Sequence, residues 1–201
     1  MTNIVQPKGL QASRYADGSA WTGATNTYVV LSTDTNQINP GDILTLAAGG
    51  DANGIPAVTK FTGTGVPVGV MAGVVVPGLN NPSLVGVTLD LTVQNIPAVK
   101  AKAYYVAVID DPDVIFEVMD DGLTVLTTAN LNNNCNVTVT NPTSPAQNSA
   151  TVLATSTVAT TSTLPLKMLG LSQRIGNGFG AYAVWLVRFN QHAFLGGQVG
   201  Y

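Results

Sequence analysis

The chain has 201 residues, 45% hydrophobic and only 9% charged, with a formal net charge of −3. Soluble proteins average about 25% charged residues, so charge-driven disorder is excluded for the chain as a whole. Its polar surface must come from Thr, Asn, Ser and Gln, which are less costly than ions to bury against a partner. The eight Lys and Arg are scattered singly with no basic stripe, so the sequence offers no counterion-release footprint for nucleic acid.

In chain order, residues 1–27 are polar and irregular, broken by Gly9, Gly18 and Gly23. They read as an extended N-terminal arm or a disordered tail. Arg14, Tyr15 and Trp21 are its bulky groups, and Tyr and Trp are frequent interface anchors. Residues 28–201 read as one β domain. Short β-rich runs are expected at residues 28–31, 43–46, 58–61, 66–72 and 74–76. Turns at Asn39-Pro40-Gly41-Asp42 and Asn53-Gly54 punctuate them. Residues 85–93 alternate cleanly between apolar and small or polar side chains. Further strands are expected at residues 103–109, 114–118 and 123–126.

Residues 127–163 are rich in Thr, Ser and Asn, and no charged residue occurs from Gly122 through Leu166. Strands are plausible at 138–140 and 152–158. The stretch reads as an insertion, either one hairpin standing off the body or a low-complexity loop. Core composition returns at residues 167–171 and 183–190, where Val184, Leu186 and Arg188 should face away from Trp185, Val187 and Phe189. No capped helical periodicity and no internal repeat of fixed period is apparent. Short strands at this spacing predict an all-β barrel or sandwich.

Catalytic signatures are sparse. His192 is the single histidine, Cys135 the single cysteine, and no Gly-x-Ser-x-Gly elbow occurs. Cys135 is expected to be a shielded thiol, with an intermolecular disulfide as the alternative. The glycines around Thr64 and Asn177 are turn glycines, since no Lys-Ser/Thr follows them. The chain starts without a basic, then apolar, leader, and no apolar run reaches the ~18 residues of a membrane span. A non-enzymatic protein without cofactor or metal, made in a cytoplasm, is therefore expected.

Asp110, Asp111, Asp113, Glu117, Asp120 and Asp121 place six of the 11 acidic residues within twelve positions. Three readings compete: a hard-cation site without the EF-hand pattern, a glycosidase-like carboxylate pair, and a solvated or interfacial turn facing a basic partner. The last is preferred, with Asp110, Asp111, Asp113 and Glu117 as the interfacial acids.

Residues 106–118, with their strand, Asp110-Asp111-Pro112 turn and Phe116-Glu117-Val118 strand, resemble a segment of head decoration (cement) proteins of tailed bacteriophages. Leu169-Gly170-Leu171, Asn177-Gly178-Phe179-Gly180 and residues 184–192 look like the closing strands of the same group. With the stretch from Gly41 to Val75, the resemblance covers most of residues 28–126 and 165–195. It implies a β-barrel or sandwich bound in many copies to the outside of an icosahedral head. It also implies contact with the major capsid protein, often as a homotrimer, with an N-terminal arm on the shell. No nucleic acid or membrane partner is implied. The competing reading is a head fibre or host-carbohydrate-binding adhesion module using residues 127–163, although those residues include no aromatic ring.

Overall fold

The computed structural model describes residues 3–76, 89–144 and 148–195. The protein is all-β, as its composition predicts, with one 3-10 turn at Thr128–Asn130. Eleven strands are described: β1 Gln11–Tyr15, β2 Asn26–Val30, β3 Ile43–Gly50, β4 Pro56–Lys60, β5 Pro67–Val75, β6 Tyr104–Ile109, β7 Val114–Met119, β8 Asn134–Thr138, β9 Val152–Ala159, β10 Leu166–Leu171 and β11 Val184–Phe189. Strands β2 to β6 close into a barrel in the order β2-β4-β3-β5-β6. The others form a six-stranded sheet in the order β1-β7-β11-β10-β8-β9.

The two halves use one pairing scheme twice. In the barrel, the first strand pairs with the fifth, the fifth with the fourth, the fourth with the second and the second with the third, all antiparallel. The third then returns to the first in parallel, at Val29↔Ala57. In the sheet, β7, β11, β10, β8 and β9 follow the same cycle, and a parallel bridge, Asp120↔Leu153, brings β9 back to the end of β7. Register agrees as well. Met71 faces Val108 and Met168 faces Val187, and each pair is followed by a bulge to Gly73↔Ala107 or Gly170↔Leu186. The expectation concerned a repeat of fixed period, and none exists; what repeats is the pairing topology. The offset between equivalent residues varies, from Asn26 to Phe116, Met71 to Met168 and Val108 to Val187, because the connecting loops differ in length. A fixed period cannot reveal such a repeat.

Alternation along each strand sets the two cores. Tyr28, Leu44, Val58, Met71, Val106 and Val108 fill the first barrel. Their equivalents Val118, Cys135, Leu153, Met168, Trp185 and Val187 fill the second unit. Ile43, Phe61, Val70 and Ile109, on other faces of the first barrel, join that second core. Burial on both faces explains why β5 reads as a nearly unbroken apolar run.

Several expected elements differ. The described residues of 127–163 do not stand off the body: β8 pairs with β10 and β9 with β8, and Cys135, Val137 and Leu153 are core residues. Residues 1–27 are not merely an arm, since β1 pairs with β7 and Leu10 is buried. Residues 123–126 form no strand, because the Gly122 and Leu123 N–H groups donate to the carboxylates of Asp120 and Asp121, a local capture that competes with a ladder. Of the strand expected at 85–93, residues 85–88 lie outside the described residues, and residues 89–93 form no strand: Leu89 makes a single bridge to Val75, and Thr92 turns back onto Asp90.

Candidate functional site

The acidic turn is where the chain crosses from the barrel to the second sheet, between β6 and β7. The fold separates its carboxylates. Asp110 is buried, accepting the Tyr28 hydroxyl at 2.7 Å and the Asn26 amide at 3.0 Å. Burial first, then this bond to Asp110, pushes the Tyr28 phenol up. Asp111 accepts the Asp113 N–H at 2.8 Å, an Asx turn. Asp113 is exposed and meets Arg188 at 3.5 Å, a pair worth about 0–1 kcal/mol. Glu117 accepts the Ser172 hydroxyl at 2.6 Å and pairs with Arg174. Asp120 points into the second core, where Trp185 Nε1–H donates to it at 3.0 Å. Burial pushes its carboxyl up, against hydrogen bonds from Trp185 and nearby backbone N–H groups. Asp121 accepts the Thr155 hydroxyl at 2.6 Å. Among the described residues no group of three His, Cys, Asp or Glu is placed to hold a metal ion.

The three arm residues diverge. Tyr15 and Trp21 pack half-buried against the second core. The Trp21 indole N–H has no hydrogen-bond partner among the described residues, and the ring lines a cavity of about 450 Å³ with Gly23, Ala72, Leu89 and Ala107. Of the three, only Arg14 is exposed. The segment is fastened at two further points. Leu10 N–H donates to Gly41 O at 2.9 Å, and the Asn3 amide donates to Gly178 O and Ala181 O, both at 3.0 Å.

The remaining reactive groups are held in framework contacts. His192 lies between Phe189 and Phe194, each ring centroid 5.5 Å away, and its Nδ1 accepts the Phe194 N–H at 3.2 Å. Burial lowers its pKa, with Asp110, the Val68 backbone and Asp111 acting weakly in the opposite sense. Cys135 is buried in the second core, its thiol pushed up to about 12 by burial. Lys60 pairs with buried Asp42 at 2.9 Å, and Asp42 also receives the Thr151 hydroxyl at 3.2 Å and the Asn39 N–H at 2.8 Å. Lys100 bonds Asp34 and the carbonyls of Asp34 and Asn36. For Asp34, burial pushes upward, but Thr59, the Asn36 N–H and Lys100 outweigh it and hold the carboxyl below its usual range.

Two surfaces escaped the sequence reading. One is cationic: Lys167 on β10 lies directly opposite Arg188 on β11, and Arg14 on β1 lies opposite Ile115 on β7. The β7–β11 register, continued by one residue, sets Arg188 beside Ile115 on its other side. Three of eight basic residues thus lie along one cross-strand row, with the buried Ile115 between Arg188 and Arg14. The outward parity of Arg188 was readable; the register that gathers residues 14, 167 and 188 was not. The other surface is an apolar tip with exposed Ile4, Ile175, Phe179 and Tyr182. Both surfaces suit recognition of a partner. Comparison of the chain with protein-family models, with curated proteins and with solved structures gives no match.

Proposed function

We propose that this protein is a virion structural protein that binds the outside of an icosahedral phage head in many copies and stabilises the assembled shell. The resemblance of residues 106–118 and 165–195 to head decoration proteins supports this reading. The observation that carries it is that the single histidine, the single cysteine and three aspartates are built into the framework, the buried His192 Nε2 alone among their side-chain nitrogens and oxygens lacking a hydrogen-bond partner among the described residues. His192, Cys135, Asp42, Asp110 and Asp120 all serve packing or internal hydrogen bonding. What faces outward is a set of sheet faces and loop tips suited to protein contact. Binding only the assembled shell stabilises that state by mass action, and many weak contacts add through avidity. The partner in this reading is the major capsid protein, and a homotrimer would multiply the contacts.

The test adds purified protein to heads that lack it. Saturable binding of many copies, with heads that withstand higher temperature before releasing DNA, is the expected result. Binding at a few positions only, or none, overturns the proposal. One observation favours the adhesion reading: Phe179 is 46% and Tyr182 37% exposed, and such rings can stack on sugars. In that case particles lacking the protein lose host adsorption and keep their head stability.

A further inference from the structure

The internal repeat allows equivalent faces of the two units to be compared. In the first barrel, Ile43 pairs with Val70, and Val70 with Ile109, forming one row across β3, β5 and β6. All three are buried in the core shared with the second unit. This face of the first barrel is therefore an interface within the chain. In the second unit the same pairings link Asn134 to Lys167 and Lys167 to Arg188. Where the first barrel presents valine and isoleucine to a neighbour, the second presents lysine and arginine.

Arg14 extends the row onto β1, so the cations span three strand spacings, about 14 Å at ~4.8 Å each. Like charges directly opposite across an antiparallel pair are destabilising. Lys167 and Arg188 stand in that relation, and among the described residues the ion pair that compensates Arg188 is the long contact to exposed Asp113. A face that breaks a local stability rule and is equivalent to an established interface has two marks of a docking surface.

We propose that the outer face of the second unit, centred on Lys167 and Arg188 with Arg14 at its edge, docks an acidic protein surface. On the reading given above, that surface belongs to the shell subunit. A discrete carboxylate cluster fits better than a polyphosphate. Asp113 and Glu117 lie on β7 or at its start between the cations, and the whole chain is acidic, so the dense charge of a polyphosphate backbone is repelled where singly charged carboxylates are held. Charge pairing of this type sets register and encounter rate and weakens as salt screens it.

The experiment compares wild type, the double variant K167E/R188E and the control K102E, which alters an exposed lysine outside the row. Each is titrated onto heads lacking the protein, at low and high salt, and separately onto immobilised polyglutamate and a short DNA duplex. The double variant is expected to bind heads roughly tenfold or more weakly at low salt, with K102E unchanged. Polyglutamate binding is expected to fall in the same way. If wild type binds heads and the double variant binds equally well, the docking face is wrong while the shell reading stands. If wild type does not bind heads, the shell reading fails, and polyglutamate decides alone: weaker binding by the double variant supports an acidic partner, and equal or absent binding overturns it. Tighter binding to DNA than to polyglutamate also overturns it. Should K167E/R188E fold poorly by circular dichroism, K167Q/R188Q, which removes the two charges without reversing them, replaces it.

Discussion

His192 shows how a residue that invites a catalytic reading becomes a packing element. Its ring is buried between two phenylalanines and stays neutral because burial lowers its pKa. Below its ordinary value of 6.5 the unfolded chain takes up a proton that the native chain does not. Stability is therefore full above that value and is lost as pH falls through it toward the lowered native pKa. Asp34, held low in the folded state, acts in a separate window: its contribution is lost only as pH falls below 3.8. Urea midpoints at about pH 7 and about pH 5 should therefore drop in wild type and hardly change in His192→Phe. An equal drop in both proteins would assign the effect to another group. The position of His192 in the sequence, beside Phe189 and Phe194, hints at an aromatic cluster; its complete burial depends on strands far away in the chain.

Among the elements, β1 is the one most at variance with its sequence. Residues 11–15 carry little apolar character, yet they pair with β7 from Gln11↔Glu117 to Tyr15↔Val114. The cause lies just upstream, where Gly9 and Gly41 approach so closely that no Cβ fits. A Cβ on Gly41 would sit 2.3 Å from the Lys8 carbonyl oxygen, at a φ of +91° that disfavours any other residue. The contact seats Leu10 in the core and delivers β1 to the sheet edge. Gly41→Ala should cost more than about 1 kcal/mol in stability. Hydrogen exchange should accelerate in β1 before it does in β7 or β11, and uniform acceleration would mean that β1 is not held by this contact. Residues 134–138 and 152–159 differ from the sequence reading in the other direction. The strand at 152–158 was legible, whereas β8 lies N-terminal to the one expected at 138–140, and the Thr and Ser content suggested a projecting hairpin. In the structure Thr155 bonds Asp121 and Asn136 donates to the Gly63 carbonyl, so polar side chains knit these strands into the body.

At the scale of the molecule, two units of one topology share a core. Ile43, Phe61, Val70 and Ile109 belong to the first barrel, yet they pack with Phe116, Trp185 and Phe189 of the second. Neither unit keeps its full apolar burial alone, so heating should give one calorimetric transition. Phe61→Ala, at the junction, should lower stability by about 3–5 kcal/mol without splitting that transition. Two resolved transitions would show that the units unfold independently. The sharing also bears on function, because it leaves the cationic row of the second unit as the outer counterpart of a face already used for docking.

The sequence by itself determined the class and most of the strands. Alternation at residues 184–189, turn residues such as Asn39-Pro40-Gly41-Asp42 and the near absence of helix signals are local properties, and local sterics and burial patterns enforce them. Tertiary structure alone decided what those strands make together. The repeat was hidden because the units differ in loop length and share only register and inward-facing positions. The dispersal of the six clustered acids, and the gathering of Arg14, Lys167 and Arg188 into one row, depend on which strands are neighbours. Hydrogen bonding between residues distant in sequence chooses those neighbours, and no local pattern encodes that choice.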